Sequence, residues 1–229
     1  MTAQTHRPAA LPRVVQIGFH KCGTRSLEQL FRGAGHPVVK YKLRRTLRRS
    51  RNAGLIMRQN LAAGRKIFAC MEDHVFYGDL IYQTESDGFE PIRYFREIMR
   101  DYPDTILLLN VRSREDWIKS RLKHSHGEFA QRVMRQRNIT SAEELADTWR
   151  REWDTHLAEV RAFMADRPEQ LIEFDIDRDS VEALVARLAP YGLRAEHWGD
   201  IGRTRGVRRH PLVAKLKKLW AHVRWRPSD

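Results

Sequence analysis

The run Val14-Val15-Gln16-Ile17 passes directly into Gly18-Phe19-His20-Lys21-Cys22-Gly23-Thr24, and Leu27, Leu30 and Phe31 then follow at helical spacing. A β-rich run, a loop framed by two glycines and an amphipathic segment in immediate succession predict strand, loop and helix. The glycines let the backbone wrap an anion. N–H groups of the loop and of the first helical turn then point at that anion, and the helix dipole favours its negative charge.

The rest of the chain repeats the alternation. Lys66 to Met71 reads as a second buried strand that ends in Glu72, Asp73 and His74. Pro91 opens a helix with Ile92, Phe95, Ile98 and Met99 on one face, closed by Asp101 to Pro103. Thr105 to Val111 is a near-continuous apolar run bounded by turn residues, the pattern of a strand covered on both faces. Ser113 stands where it can cap the following helix, with Asp116 in the capping-box position and Trp117 facing inward. Ser141 and Glu144 form a second capping box, ahead of Leu145, Trp149, Trp153, Leu157, Val160 and Met164. Leu171 to Phe174 is a further strand, and Val181, Leu184, Val185 and Leu188 mark a last helix. Strands alternating with helices predict an α/β fold with a mainly parallel sheet flanked by helices.

At 229 residues the chain suits one substantial domain. Residues 1–12 are expected to be flexible and 203–229 to form a basic C-terminal segment. The opening residues lack the apolar core of a signal peptide, and no apolar run approaches a bilayer span. With Cys22 and Cys70 expected reduced, the chain reads as cytoplasmic. The formal net charge of +13 favours anionic partners. One cluster runs through Lys40, Lys42, Arg44, Arg45, Arg48, Arg49 and Arg51, and a second fills Arg203 to Arg226. Neither carries zinc-finger spacing or interleaved aromatics, so no specific nucleic-acid partner is expected.

An ATP-binding loop of the ordinary kind places lysine directly after its second glycine. Here Thr24 holds that place and the lysine comes earlier, at Lys21. On these residues the sequence resembles the sulfotransferase family, whose members bind 3′-phosphoadenosine 5′-phosphosulfate (PAPS) in a Pro-Lys-Ser-Gly-Thr-Thr-like loop after the first strand. Lys21, Gly23 and Thr24 match, with Ser26 nearby; His20, Cys22 and Arg25 depart from the pattern. A second match lies at Arg112, at the end of the Thr105 to Val111 strand, followed eight positions on by Ser120. The resemblance covers roughly Val14 to Phe174 and points to compact bacterial members with an Asn-x-Arg strand end.

The resemblance implies a P-loop NTPase-like sulfotransferase fold and in-line transfer of a sulfuryl group from PAPS to a hydroxyl or amine, with no metal required. Lys21, Cys22, Gly23, Thr24, Arg25 and Ser26 would hold the 5′ end of the cofactor, and Arg112 and Ser120 its 3′-phosphate. Lys21 would also stabilise charge on the leaving oxygen. The acceptor proton needs a base; Glu72 is the first candidate and His74 the second, with Asp73 and His20 behind them. The acceptor itself, whether a small molecule, a glycan or a lipid, is not legible, since acceptor pockets are built from loops without motifs.

Two other readings compete. A P-loop nucleotide or small-molecule kinase would need lysine after Gly23, and a non-catalytic basic adaptor would bind an anionic partner without using PAPS. In the tail, the resemblance implies that Arg203 to Arg209 would close over the cofactor, as a late basic, glycine-containing segment does in related sulfotransferases. Leu212 to Trp220 form an amphipathic basic segment, for which docking on its own domain is favoured over contact with a membrane surface.

Overall fold

A computed structural model describes residues 11–44 and 50–199. Residues 1–10, Arg45, Arg48, Arg49 and the basic tail lie outside the described residues. β1 (Val14–Gln16) leads through the glycine loop into α1 (Thr24–Gly33). β2 (Val38–Lys40), β3 (Lys42–Arg44) and β4 (Ser50–Asn52) precede α2 (Ala53–Ala62), and β5 (Phe76–Gly78) is followed by a ribbon of β6 (Tyr82–Gln83) and β7 (Gly88–Phe89). Then come α3 (Phe95–Asp101), β8 (Ile106–Val111), α4 (Arg114–Leu122), α5 (Glu128–Arg137), α6 (Ala142–Phe163), β9 (Leu171–Asp175) and α7 (Val181–Arg187).

The main sheet has the order β4-β3-β2-β5-β1-β8-β9. β2, β5, β1, β8 and β9 are parallel, whereas β3 and β4 extend the β2 edge as antiparallel strands. Because strand side chains alternate between faces, the buried residues separate into two layers. Val15, Val39, Tyr77, Leu107 and Leu109 pack with α2 to α6, including Met57, Phe95, Trp117, Phe129 and Trp153. Val14, Val38, Phe76, Leu108 and Phe174 pack with α1 and α7 through Leu27, Leu30, Phe31 and Leu184. The α/β architecture expected from the alternation is therefore present, with a helical layer on each face. Among the described residues no helix is long and apolar enough to cross a membrane.

Local signals hold to different degrees. The Ser141 hydroxyl accepts from the Glu144 N–H at 3.1 Å, and the Glu144 carboxylate accepts from the Thr140 N–H at 3.3 Å, so α6 starts on the expected box. Ser113 occupies the N-cap position of α4, but its side chain caps nothing. Its N–H donates instead to Asp177 Oδ2 at 3.1 Å.

Lys66 to Met71 is not a strand. The Asn60 amide donates to the carbonyls of Ile67 (3.1 Å) and Ala69 (2.9 Å), and Asp101 accepts from the Ile67 N–H at 2.8 Å. Side chains thus take backbone groups that a neighbouring strand would otherwise take, and the buried Ile67, Phe68 and Met71 sit in turns. The strand that pairs with β1 is Phe76–Gly78.

One buried polar group fixes the end of β1. His156 of α6 is fully buried, with its ring against Phe19 and Phe95, and its Nε2 lies 2.8 Å from the Ile17 carbonyl. A carbonyl only accepts, so Nε2 carries a proton, and the burial of the ring disfavours a second one on Nδ1. Burial lowers the His156 pKa to about 4.

The neutral ring is favoured in the folded state, while the unfolded chain titrates near 6.5. Its contribution to stability is complete above that value and is lost as pH falls toward 4, by on the order of 3 kcal/mol. Between pH 7 and pH 4 the wild type should lose more unfolding free energy in urea than His156→Gln, which retains a donor without titrating. Parallel losses in the two proteins would assign the acid sensitivity elsewhere.

Candidate active site

The loop between β1 and α1 lies at the C-terminal edge of the parallel strands, where open α/β sheets place ligands. Gly18 begins it in contact with β8: a Cβ there would fall 2.0 Å from the Asn110 carbonyl oxygen and 2.4 Å from Asn110 Oδ1. Only glycine permits this approach.

Four loop carbonyls are then tied down by side chains of other elements. His156 donates to Ile17 O, Trp117 Nε1 to His20 O (3.1 Å), Arg112 Nη1 to Lys21 O (3.4 Å) and Asn110 Nδ2 to Cys22 O. Gly23 is the left-handed N-cap of α1 (φ 76°), with no side-chain cap and no acidic residue in the first turn. Carbonyls are thus engaged with the protein while the first N–H groups of α1 are left for an anion.

Beneath the loop, Arg121 of α4 is fully buried and pairs with Glu90 at 2.8 Å. Its guanidinium also lies 4.5 Å from the Trp149 ring centroid, 5.1 Å from Trp117 and 5.3 Å from Phe129. Trp117, 4.8 Å from Phe19, connects this charged chamber to the loop.

The residues expected to bind an anion fare unequally. Lys21 is partly buried in a left-handed conformation (φ 74°). Its pKa is lowered by burial first and then by the neighbouring Arg25 charge, against a raising effect of Asp79 that exceeds the further lowering by Arg112. Arg25 is exposed on the first turn of α1. Thr24 is largely buried, and Cys22 lies fully in the core with its thiol pKa pushed up by burial, which limits Cys22 to backbone contact. The Ser26 hydroxyl donates to the Gly199 carbonyl, so it holds the chain after Trp198 against the start of α1 and its proton is not directed at a phosphate. Arg112 reaches the loop and Asp177 (3.7 Å), and its Nε is buried without a partner among the described residues. Ser120 is partly buried on α4 with no side-chain bond among the described residues.

The expected bases are misplaced. Glu72, Asp73 and His74 precede β5 and lie at the N-terminal edge of the sheet, opposite the loop. The Glu72 carbonyl accepts from Arg13 at 3.1 Å and its carboxylate from the Tyr102 hydroxyl at 2.8 Å, and these partners precede β1 and β8. His74 turns back on Asp73 (2.8 Å). The error follows from the mistaken strand: moving it to Phe76–Gly78 moves its C-terminal end to Asp79.

Asp79 is therefore the carboxylate that ends β5 on the loop side, while Asp175 ends β9 and Asp177 follows it at the same edge, Asp177 paired with Arg112 at 3.7 Å. It leaves β5 in a left-handed conformation (φ 51°), and its N–H donates to Gln16 Oε1 of β1 at 3.1 Å. Burial raises its pKa, and the nearby charges include Lys40, Glu28, Lys21 and Arg25. The aromatic run Val75-Phe76-Tyr77 ending in Gly78-Asp79 was the sequence signal for it. His20 is also close, its ring facing Phe129 and His124, with its pKa lowered by burial and then by Arg121, His124 and Lys21. Its Nε2 is enclosed without a partner among the described residues, so it suits packing beside the loop better than proton exchange with an acceptor.

The raised pKa of Asp79 carries a stability consequence. The penalty for its ionised form is absent below the ordinary value near 3.8 and complete once pH exceeds the raised folded value. Asp79→Asn should accordingly melt above the wild type at pH 7, with the gap closing as pH falls to about 4. A gap of constant size across that range would mean that the carboxyl is not desolvated.

A family model described as a sulfotransferase domain matches residues 13–189, more than half of the chain. No curated protein matches it.

Proposed function

The chain belongs to the sulfotransferase family and is an enzyme of sulfuryl transfer; from that premise we propose that its donor is PAPS, held between the Lys21 loop and Arg112, and that Asp79 receives the acceptor's proton. The observation that carries this reading is the order β5-β1-β8, whose adjacent C-terminal ends deliver a carboxylate at Asp79, a cationic loop at Lys21 and a guanidinium at Arg112. PAPS, when bound, supplies the sulfuryl group and leaves as adenosine 3′,5′-bisphosphate.

The donor set suits such a group. Uncapped N–H groups at the start of α1 and the Lys21 ammonium complement a 5′-phosphosulfate. Arg112, with its Nε already buried, complements a 3′-phosphate by its planar fork, with the Ser120 hydroxyl as a further donor. Lys21 is held where charge develops on a leaving oxygen, and its partial burial strengthens that interaction. Asp79, with its pKa raised toward the working range of a general base, accepts the proton of the attacking hydroxyl or amine at a carboxylate oxygen. The acceptor class remains open within this reading, and a kinase is disfavoured by the absence of lysine after Gly23.

Arg112→Ala should weaken adenosine 3′,5′-bisphosphate by roughly 10- to 100-fold in calorimetric titration, the about 1.5–3 kcal/mol of a hydrogen bond to a charged group, and leave adenosine 5′-phosphate nearly unchanged. Equal weakening of both nucleotides, or tighter binding of Mg-ATP than of either by the wild type, would refute the assignment.

Lys21→Ala should reduce release of adenosine 3′,5′-bisphosphate from PAPS, assayed with a panel of hydroxyl and amine acceptors, by at least about 100-fold. Its circular dichroism should match the wild type. Turnover within about threefold of wild type would remove Lys21 from the transition state.

A further inference from the structure

Three adjacent strands leave the parallel sheet through left-handed residues that are not glycine: Lys21 after β1, Asp79 after β5 and Tyr41 after β2. The first two belong to the site already described. Tyr41 lies beside them, because Lys40 is in register with Gly78 and the Tyr41 N–H donates to the Gly78 carbonyl at 3.4 Å. A bulky side chain at φ 54° is an outlier that glycine would relieve. Strain of this kind concentrates where a side chain's direction matters.

The Tyr41 ring is 43% exposed, and among the described residues it is the one exposed large hydrophobic side chain. The Lys42 ammonium sits 5.8 Å from its centroid, and Lys42 has no carboxylate within ion-pair distance among the described residues. Lys40, by contrast, is neutralised by Glu28 at 2.5 Å. Arg51 of β4 is in register with Leu43 and donates to Gln59 of α2 at 2.6 Å, so it lies on the other face and leaves Lys42 as the free cation beside the Tyr41 ring among the described residues. The end of β2, next to the end of β5 that carries Asp79, therefore presents one exposed aromatic ring and one lysine ammonium without a carboxylate partner among the described residues.

We propose that Tyr41 and Lys42 form the acceptor-binding lip of this enzyme and select an acidic saccharide, with a sugar ring on the Tyr41 face, its acid group toward Lys42, and a hydroxyl toward Asp79. The proposal rests on the sulfuryl-transfer reading for the use of that hydroxyl, though not for the binding itself. A pyranose has an apolar C–H face that packs on an aromatic ring and a rim of hydroxyls from which an acceptor can be drawn. Single-stranded nucleic acid would be served by successive aromatic platforms, and a lipid by a contiguous apolar patch. The described surface offers neither, since Tyr41 stands alone.

The test is calorimetric titration with a galacturonic acid hexasaccharide and a neutral galactose hexasaccharide at fixed ionic strength. Tyr41→Gly removes the ring and suits the left-handed backbone, so its melting temperature should be no lower than that of the wild type. The wild type should prefer the acidic hexasaccharide by at least tenfold; Tyr41→Gly should lose at least tenfold of that affinity, and Tyr41→Phe should stay within threefold. Lys42→Gln should narrow the acidic-over-neutral preference and reduce its dependence on salt. Adenosine 3′,5′-bisphosphate should bind all four proteins within twofold.

The proposal is overturned if the wild type does not bind the acidic hexasaccharide, if it binds the neutral one equally, or if Tyr41→Gly binds as the wild type does. It is also overturned if a poly-dT oligonucleotide or phosphatidylserine vesicles bind more tightly than the saccharide and depend on Tyr41. Failure of adenosine 3′,5′-bisphosphate to bind the wild type would instead refute the PAPS reading and leave the saccharide result to be judged separately.

Discussion

Everything at the active edge depends on how the glycine loop is pressed onto its surroundings. Gly18 touches the backbone of Asn110, and the carbonyls of Ile17, His20, Lys21 and Cys22 each accept a bond from a side chain on α6, α4, β8 or the turn between β8 and α4. A peptide group whose carbonyl is held by the protein directs its N–H the other way. The direction of the loop's N–H groups is thus set by four tertiary contacts and by the uncapped start of α1, with the glycines supplying only the freedom to adopt that path.

Those contacts connect the core to the chemistry. His156 is neutral because α6 buries it, and Trp117 reaches His20 because it is packed between Phe19, Trp153 and the Arg121 chamber. Arg121 illustrates the cost of this design. A buried guanidinium requires a partner, and Glu90 together with three aromatic rings provides one. Removing Glu90 would leave an uncompensated charge directly below the loop. The path of the glycine loop and the stability of the core are in this way carried by the same residues.

Of the seven described non-glycine residues with positive φ, Cys70 and Asn138 sit in turns elsewhere and the other five lie around this edge. Lys21, Tyr41 and Asp79 follow neighbouring parallel strands, and Ser125 and His126 turn left-handed in the segment beside His20 and His124. Strain distributed through a fold would be selected against, whereas strain that orients side chains around a ligand has a use. Asp79 combines this strain with a carboxyl whose pKa burial raises, so it is a destabilising element at the edge where the proposed function needs a proton acceptor.

By itself the sequence determined the layers and the anion loop. Alternation of apolar runs and helical stripes is read from neighbours a few residues apart, as in Thr105 to Val111 or Leu145 to Met164, and the Ser141 box needs only its own turn. Gly18, Lys21, Gly23 and Arg112 were likewise legible, since strand-end motifs declare themselves by spacing. The tertiary structure alone decided which apolar run pairs with β1. Lys66 to Met71 and Phe76 to Gly78 are both buried and both compatible with a strand, and the choice fell to Asn60 and Asp101, which occupy the backbone groups of the first. That choice shifted the carboxylate of the site from Glu72 to Asp79 and brought Tyr41 beside it. Side-chain bonds between residues distant in the chain leave no periodicity, and so the partner strand and the residues at its end became visible only once the chain was folded.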